Sequence, residues 1–151
     1  MIRVVAAVAV ACAAAALAGC GSDRSGDEAA VKRTIHTAIR AALVDHDLRS
    51  SCARASPRGH ALLLHWYRLS YPERHFRDCE GVLRFQVAQE RGGLVPTLRR
   101  TLGVIGKVRL DRATAVAQVT DRAGSAYASI RLRKVGGRWL IDDSSAIPRG
   151  M

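Results

Sequence analysis

Val135-Gly136-Gly137-Arg138-Trp139-Leu140-Ile141-Asp142 is the stretch that decides the fold class. Two consecutive glycines supply the positive φ angles that a two-residue hairpin turn needs, and the residues after them suit a strand. Before the turn, Ala126, Ala128, Ile130 and Leu132 alternate with Arg131 and Arg133, the period of two expected of a strand with one buried face. Arg122 to Gly124 reads as a turn, Ala113 to Asp121 as a β-prone run, and Asp111-Arg112 as another turn. From Leu102 onward, Val104, Val108 and Leu110 alternate with Lys107 and Arg109. Four antiparallel strands in a meander are expected, with Arg109, Arg131 and Arg133 on the face turned away from the core.

Ahead of residue 102 the period lengthens. From Glu28 onward Val31, Ile35, Ala38, Ile39, Ala42 and Leu43 recur at helical spacing, while Lys32, Arg33, Thr37 and Arg40 lie elsewhere. The pattern breaks after Asp47, where a short helical piece carrying Cys52 is expected. Ser56-Pro57 marks a new helix start, because serine caps free amides and proline suits the first turn. That helix carries Ala61, Leu62, Leu63, Leu64 and Trp66 and should end near Tyr71-Pro72, since proline disfavours helical backbone just before it. From Cys79 to Arg91 two periods compete: Cys79, Leu83 and Val87 are four apart, yet Leu83, Phe85 and Val87 alternate. Helix is the expected state. Helices first and strands last predict an α+β domain, with N-terminal helices packed on a curved antiparallel four-stranded sheet.

Leu17-Ala18-Gly19-Cys20 resembles a bacterial lipoprotein box. The run from Val4 to Ala18 holds no charge, Arg3 supplies a positive flank, and small residues precede the cysteine. The run is shorter than the roughly 20 residues that a membrane helix needs. The resemblance implies cleavage before Cys20, a diacylglyceryl group on its thiol, and anchoring to the cell membrane on the extracytoplasmic side. An uncleaved signal anchor and an ordinary secretory signal use similar residues, and all three readings export the chain. On the lipoprotein reading residues 1–19 are the signal peptide and 20–27 are the lipidated cysteine with a flexible tether of small polar residues. Residues 28–145 are then the folded domain and 146–151 a C-terminal tail.

Cys12 leaves with such a signal and Cys20 is taken by lipid, so Cys52 and Cys79 remain. An isolated pair in an oxidising compartment is expected to form a disulfide. A metal site is the weaker alternative, because neither cysteine has a second ligand at the close spacing of zinc sites. The chain carries 24 Lys and Arg against 13 Asp and Glu, a net +11 with neutral histidines. This excess suits anionic headgroups or envelope polymers, or else it is a generic basic surface, since the arginines are spread along the chain. Nucleic acid is not an expected partner of an exported chain without an aromatic and basic recognition pattern.

The long first helix, Cys52 early in the second, Cys79 near the third and the closing Gly137-Arg138-Trp139-Leu140-Ile141-Asp142 together resemble the nuclear transport factor 2-like superfamily. The similarity is to its small exported lipoproteins of high-GC Gram-positive bacteria, and it runs from about Glu28 to Asp143. The resemblance implies a cone, in which a strongly curved sheet wraps the helices and leaves a cavity between them. Some members are isomerases, dehydratases or polyketide cyclases, whereas many others only bind or dimerise. Fold alone does not choose among them.

Isomerase-type chemistry needs a carboxylate base and hydrogen-bond donors on a dry cavity wall. The expected inward side chains, Ala126, Ala128, Ile130, Leu132, Val104, Val108 and Leu110, offer neither. Asp111, Asp121, Asp142 and Asp143 fall at turns or strand ends, where solvated carboxylates are expected. His46, between Asp45 and Asp47, projects near the centre of the first helix's apolar stripe. It either points into a cavity or is a helix-end histidine with a local hydrogen bond. Trp66, Tyr67 and Tyr71 are candidates for a pocket mouth or for helix packing, so His46, Trp66 and Tyr67 form the possible pocket. No catalytic, cofactor or metal motif stands out: there is no His-Glu-x-x-His, no Gly-x-Ser-x-Gly and no phosphate loop.

The expected role is that of a membrane-anchored, non-catalytic domain binding a small apolar ligand or an envelope protein, as a monomer or homodimer. One alternative is a small-molecule enzyme of isomerase or dehydratase type, with His46 or a buried aspartate as base. The other is an interaction module that dimerises through the sheet.

Overall fold

The computed structural model describes residues 24–91, 105–120 and 126–146. Four helices come first: α1 (Arg24–Leu43), α2 (Leu48–Cys52), α3 (Pro57–Ser70) and α4 (Cys79–Arg91). Four strands follow: β1 (Ile105–Asp111), β2 (Thr114–Thr120), β3 (Ala126–Val135) and β4 (Arg138–Ala146). They form one antiparallel sheet in the order β1-β2-β3-β4. This is the α+β arrangement that the change of period implies. Leu102, Val104, Asp121 and the turn read at 122–124 lie outside the described residues.

One boundary differs from expectation. Residues 24–27, read as tether, belong to the first turns of α1, so the helix opens at Arg24 rather than Glu28. Asp27 supplies the reason. Its carboxyl group accepts hydrogen bonds from Lys134 Nζ at 2.6 Å and from the Trp139 indole Nε1 at 3.0 Å. A carboxylate in a first turn is also favoured by the helix dipole. At the other end β4 reaches Ala146, where the C-terminal tail was expected to begin.

The core sits between α1 and the sheet. Val31 and Ile35 pack with Ala115, Ala117, Val119, Ile130, Leu132 and Trp139, all buried. Ala115 and Ala117 are small, which leaves room over β2 for the branched side chains of the helix. Thr34, also buried on α1, donates from Oγ1 to the Trp139 carbonyl oxygen at 3.2 Å. Apolar side chains therefore fill the space between helix and sheet at this level.

The remaining helices form a second cluster. Asp47 caps α2 by accepting from Ser50 N at 2.9 Å. Ser56 caps α3 from extended backbone, accepting from Gly59 N at 2.9 Å, with Pro57 in the first turn as read from the sequence. Residues 79–91 are helical, and Asp78 shows why helix prevails there: its Oδ1 accepts from Gly81 N at 2.8 Å, a cap that only a helix rewards. Tyr67, Tyr71, Phe76 and Phe85 meet between α3 and α4, with ring centroids 4.8 to 6.3 Å apart.

Candidate functional site

Cys20, the expected lipidation point, lies outside the described residues, as does the segment read as a signal. Cys52 and Cys79 are bonded to each other, with their Cα atoms 6.0 Å apart. The bond ties the last residue of α2 to the first residue of α4, and both cysteines are buried. His60 on α3 donates from Nε2 to the Cys52 carbonyl oxygen at 2.8 Å, so three helices meet at this staple.

His46, Trp66 and Tyr67 do not come together as a pocket. α1 ends at Leu43, before His46, which is exposed with φ of 55°. The chain reverses there: Val44 N and Asp45 N both donate to the Arg40 carbonyl, and Asp47 N donates to that of Ala41. Histidine tolerates the left-handed conformation better than most residues, so it suits a helix stop. Trp66 is 58% exposed on α3. Tyr67 lies half-buried on another face, ringed by Tyr71, Phe76 and Phe85, and its hydroxyl accepts from Gln86 Nε2. Burial, countered in part by that hydrogen bond, raises the Tyr67 hydroxyl above its ordinary pKa. Tyr67 is thus a packing aromatic. Arg68 closes the same cluster by donating from Nε and Nη2 to the Phe76 carbonyl at 3.0 and 2.8 Å.

An open groove runs beside the end of α1, bounded by His36, Arg40, Asp45, Asp47 and Arg54 among others. Arg40 and Asp45 face each other across 3.6 Å, and hydrogen bonds from Ser50 hold the Asp47 carboxyl below its ordinary pKa. Arg40 and Asp45 are thus engaged with each other, and Asp47 with the first turn of α2. Among the described residues no cluster of three His, Cys, Asp or Glu could hold a metal ion, and no helix is long and apolar enough to cross a membrane.

Asp142 corrects the expectation of a solvated strand-end carboxylate. It is 3% exposed, in the middle of β4. Arg131 pairs with Asp143 while Leu132 pairs with Ile141, so Asp142 is an extra residue in the ladder, a bulge. The bulge aims its carboxyl group at the cap of α3. Ser56 Oγ donates to Asp142 Oδ1 at 2.7 Å, while Arg133 and Arg58 stand 3.3 and 3.8 Å from Oδ2. Ser56 N donates to the Ile141 carbonyl and Ile141 N to that of Arg54, both at 2.7 Å. A Cβ on Gly59 would lie 2.4 Å from the same Ile141 oxygen. Glycine is what lets α3 rest on β4.

The outer face of the sheet carries arginines, as the alternation implied: Arg109, Val116, Arg131 and Asp143 form one cross-strand row, and Arg109, Arg131 and Arg133 are exposed. At one end of the sheet the Gly136-Gly137 turn, with φ of 54° and 77°, stands beside the first turns of α1. Lys134 N donates to the Ala113 carbonyl at 2.8 Å, which brings the β1–β2 turn to the same end.

No family model and no curated protein matches this chain. Among solved structures it is similar to one from Xanthomonas campestris described as a calcium/calmodulin dependent protein kinase II association domain. The two share 18% sequence identity over 82% of this chain and 88% of that one, with a TM-score of 0.41.

Proposed function

We propose that this chain is a lipid-anchored extracytoplasmic domain that binds a ligand or a partner at the cell envelope and does not catalyse a reaction. The Cys52–Cys79 disulfide is the observation that carries this reading, because such bonds persist where thiols are oxidised, which is outside the cytoplasm in most cells. The lipoprotein-like Leu17-Ala18-Gly19-Cys20 supplies the address. The inner face of the sheet supports a non-catalytic role, since Ala115, Ala117, Val119, Ile130 and Leu132 meet α1 there with apolar surface. Isomerase-type chemistry would draw on a carboxylate and oxyanion donors at those positions. Function then arises from confinement: a domain held at the membrane meets its partner at raised effective concentration, so modest affinity suffices.

The test is Cys20→Ser in the native host. The variant is expected to appear unprocessed or in the soluble fraction, and to lack the lipid mass that the parent carries. A variant that is still processed and still sediments with membranes overturns the anchor.

A further inference from the structure

Only residues 21–23 separate Cys20 from the start of α1 at Arg24. At full extension that stretch reaches roughly 14 Å, and the polar layer of one leaflet is itself about 5–8 Å thick. A domain on so short a lead has one end against the headgroups. Asp27 identifies that end through its bonds to Lys134 and Trp139, which hold the β3–β4 hairpin beside the first turns of α1. The Lys134 backbone N–H, donating to the Ala113 carbonyl, adds the β1–β2 turn.

From this juxtaposition we propose that the hairpin tip and the β1–β2 turn form a second membrane contact, which rests on an anionic lipid surface beside the acylated cysteine. The inference depends on the lipid-anchor reading above. Charge complementarity supports it. Arg24, Arg112 and Arg138 are exposed here and enter no ion pair among the described residues. Among the described residues the acidic groups close by are engaged, Asp27 with Lys134 and Glu28 with Lys32 at 2.7 Å, which leaves Asp111, with Asp23 of the lead, as the opposing charges. Val135 is 44% exposed at the tip, and a Cβ on Gly136 or Gly137 would meet nothing within 4 Å. The turn therefore projects clear of the protein, with an apolar side chain between cations, the pairing that suits a headgroup boundary. α3 is the rival surface, with Trp66 and Leu69 58% and 62% exposed. It packs on β4 and α4, however, whereas the bonds of Asp27 join the anchored end of α1 to the β3–β4 hairpin.

The experiment uses the lipidated mature chain, beginning at Cys20, in phosphatidylglycerol vesicles and, separately, in phosphatidylcholine vesicles. An environment-sensitive fluorophore is attached at Val135→Cys or, for comparison, at Trp66→Cys, after intact mass has shown the adduct on Cys20. In phosphatidylglycerol the probe at 135 should shift to the blue and resist aqueous iodide, while the probe at 66 stays quenchable. Arg112→Gln and Arg138→Gln should each lower the docked-to-undocked ratio about fivefold. An acylated protein whose probe at 135 is quenched equally in both vesicles overturns the contact and leaves the anchor standing. Shielding at 66 instead of 135 overturns it in favour of α3. Absence of the adduct removes the anchor, and the contact falls with it.

Discussion

At the scale of single residues, the junction of Ser56, Gly59 and Asp142 holds α3 to the sheet. Ser56→Ala removes both the cap on α3 and the donor to a buried carboxyl group. It should lower stability by about 1–3 kcal/mol, read from the urea midpoint. Gly59→Ala drives a methyl group against the Ile141 carbonyl and should cost about 1–3 kcal/mol by the same measurement. Tyr67 gives a pH signature. Because burial raises its folded-state pKa above the unfolded value of about 10, its contribution is complete below that pH. It is lost as pH rises through the folded value. Tyr67→Phe should flatten this alkaline loss in denaturation curves taken at successive pH values. The serine cap was legible in Ser56-Pro57, but its partner was not. Alternation assumes an unbroken register, and one extra residue in β4 turns Asp142 from a strand-end surface group into a buried one. His46 sits just past the end of α1, in line with its reading as a helix-end histidine, whereas its projection into the apolar stripe extended the helical period past a reversal that backbone hydrogen bonds, not hydropathy, produce.

Among the elements, strand order and the positions of the β1–β2 and β3–β4 hairpins followed from period and turn residues, because each strand of the meander pairs with its sequence neighbour. The start of α1 was hidden. Gly21 to Asp27 has no apolar period, and the partners Lys134 and Trp139 that hold Asp27 lie far along the chain. Cysteine count anticipated the pairing of Cys52 with Cys79, which closes a 27-residue separation between α2 and α4. Replacing both cysteines by serine should lower stability by about 3–4 kcal/mol on the chain-entropy account, measured as a loss in unfolding free energy in urea. A loss near zero would mean that the helices hold their places without the covalent tie.

The whole molecule divides into two packed regions: α1 with the sheet, and α2 to α4 around the disulfide and the aromatic cluster. On reduction the second should open first, so hydrogen exchange should quicken in α3 and α4 while β2 and β3 remain protected. Uniform exchange across both regions would mean that they unfold as one unit. The feature joining them also has a consequence for the margin of the sheet. β4 is a terminal strand with an open rim of amides and carbonyls, the kind of surface on which a foreign strand can be templated. The parallel bridge from Ala55 to Ile141 occupies that rim, and the extra residue beside it breaks its spacing. Self-propagating aggregation at this edge is thereby discouraged, and a variant that deletes the bulge should form fibrils sooner, as followed by thioflavin fluorescence.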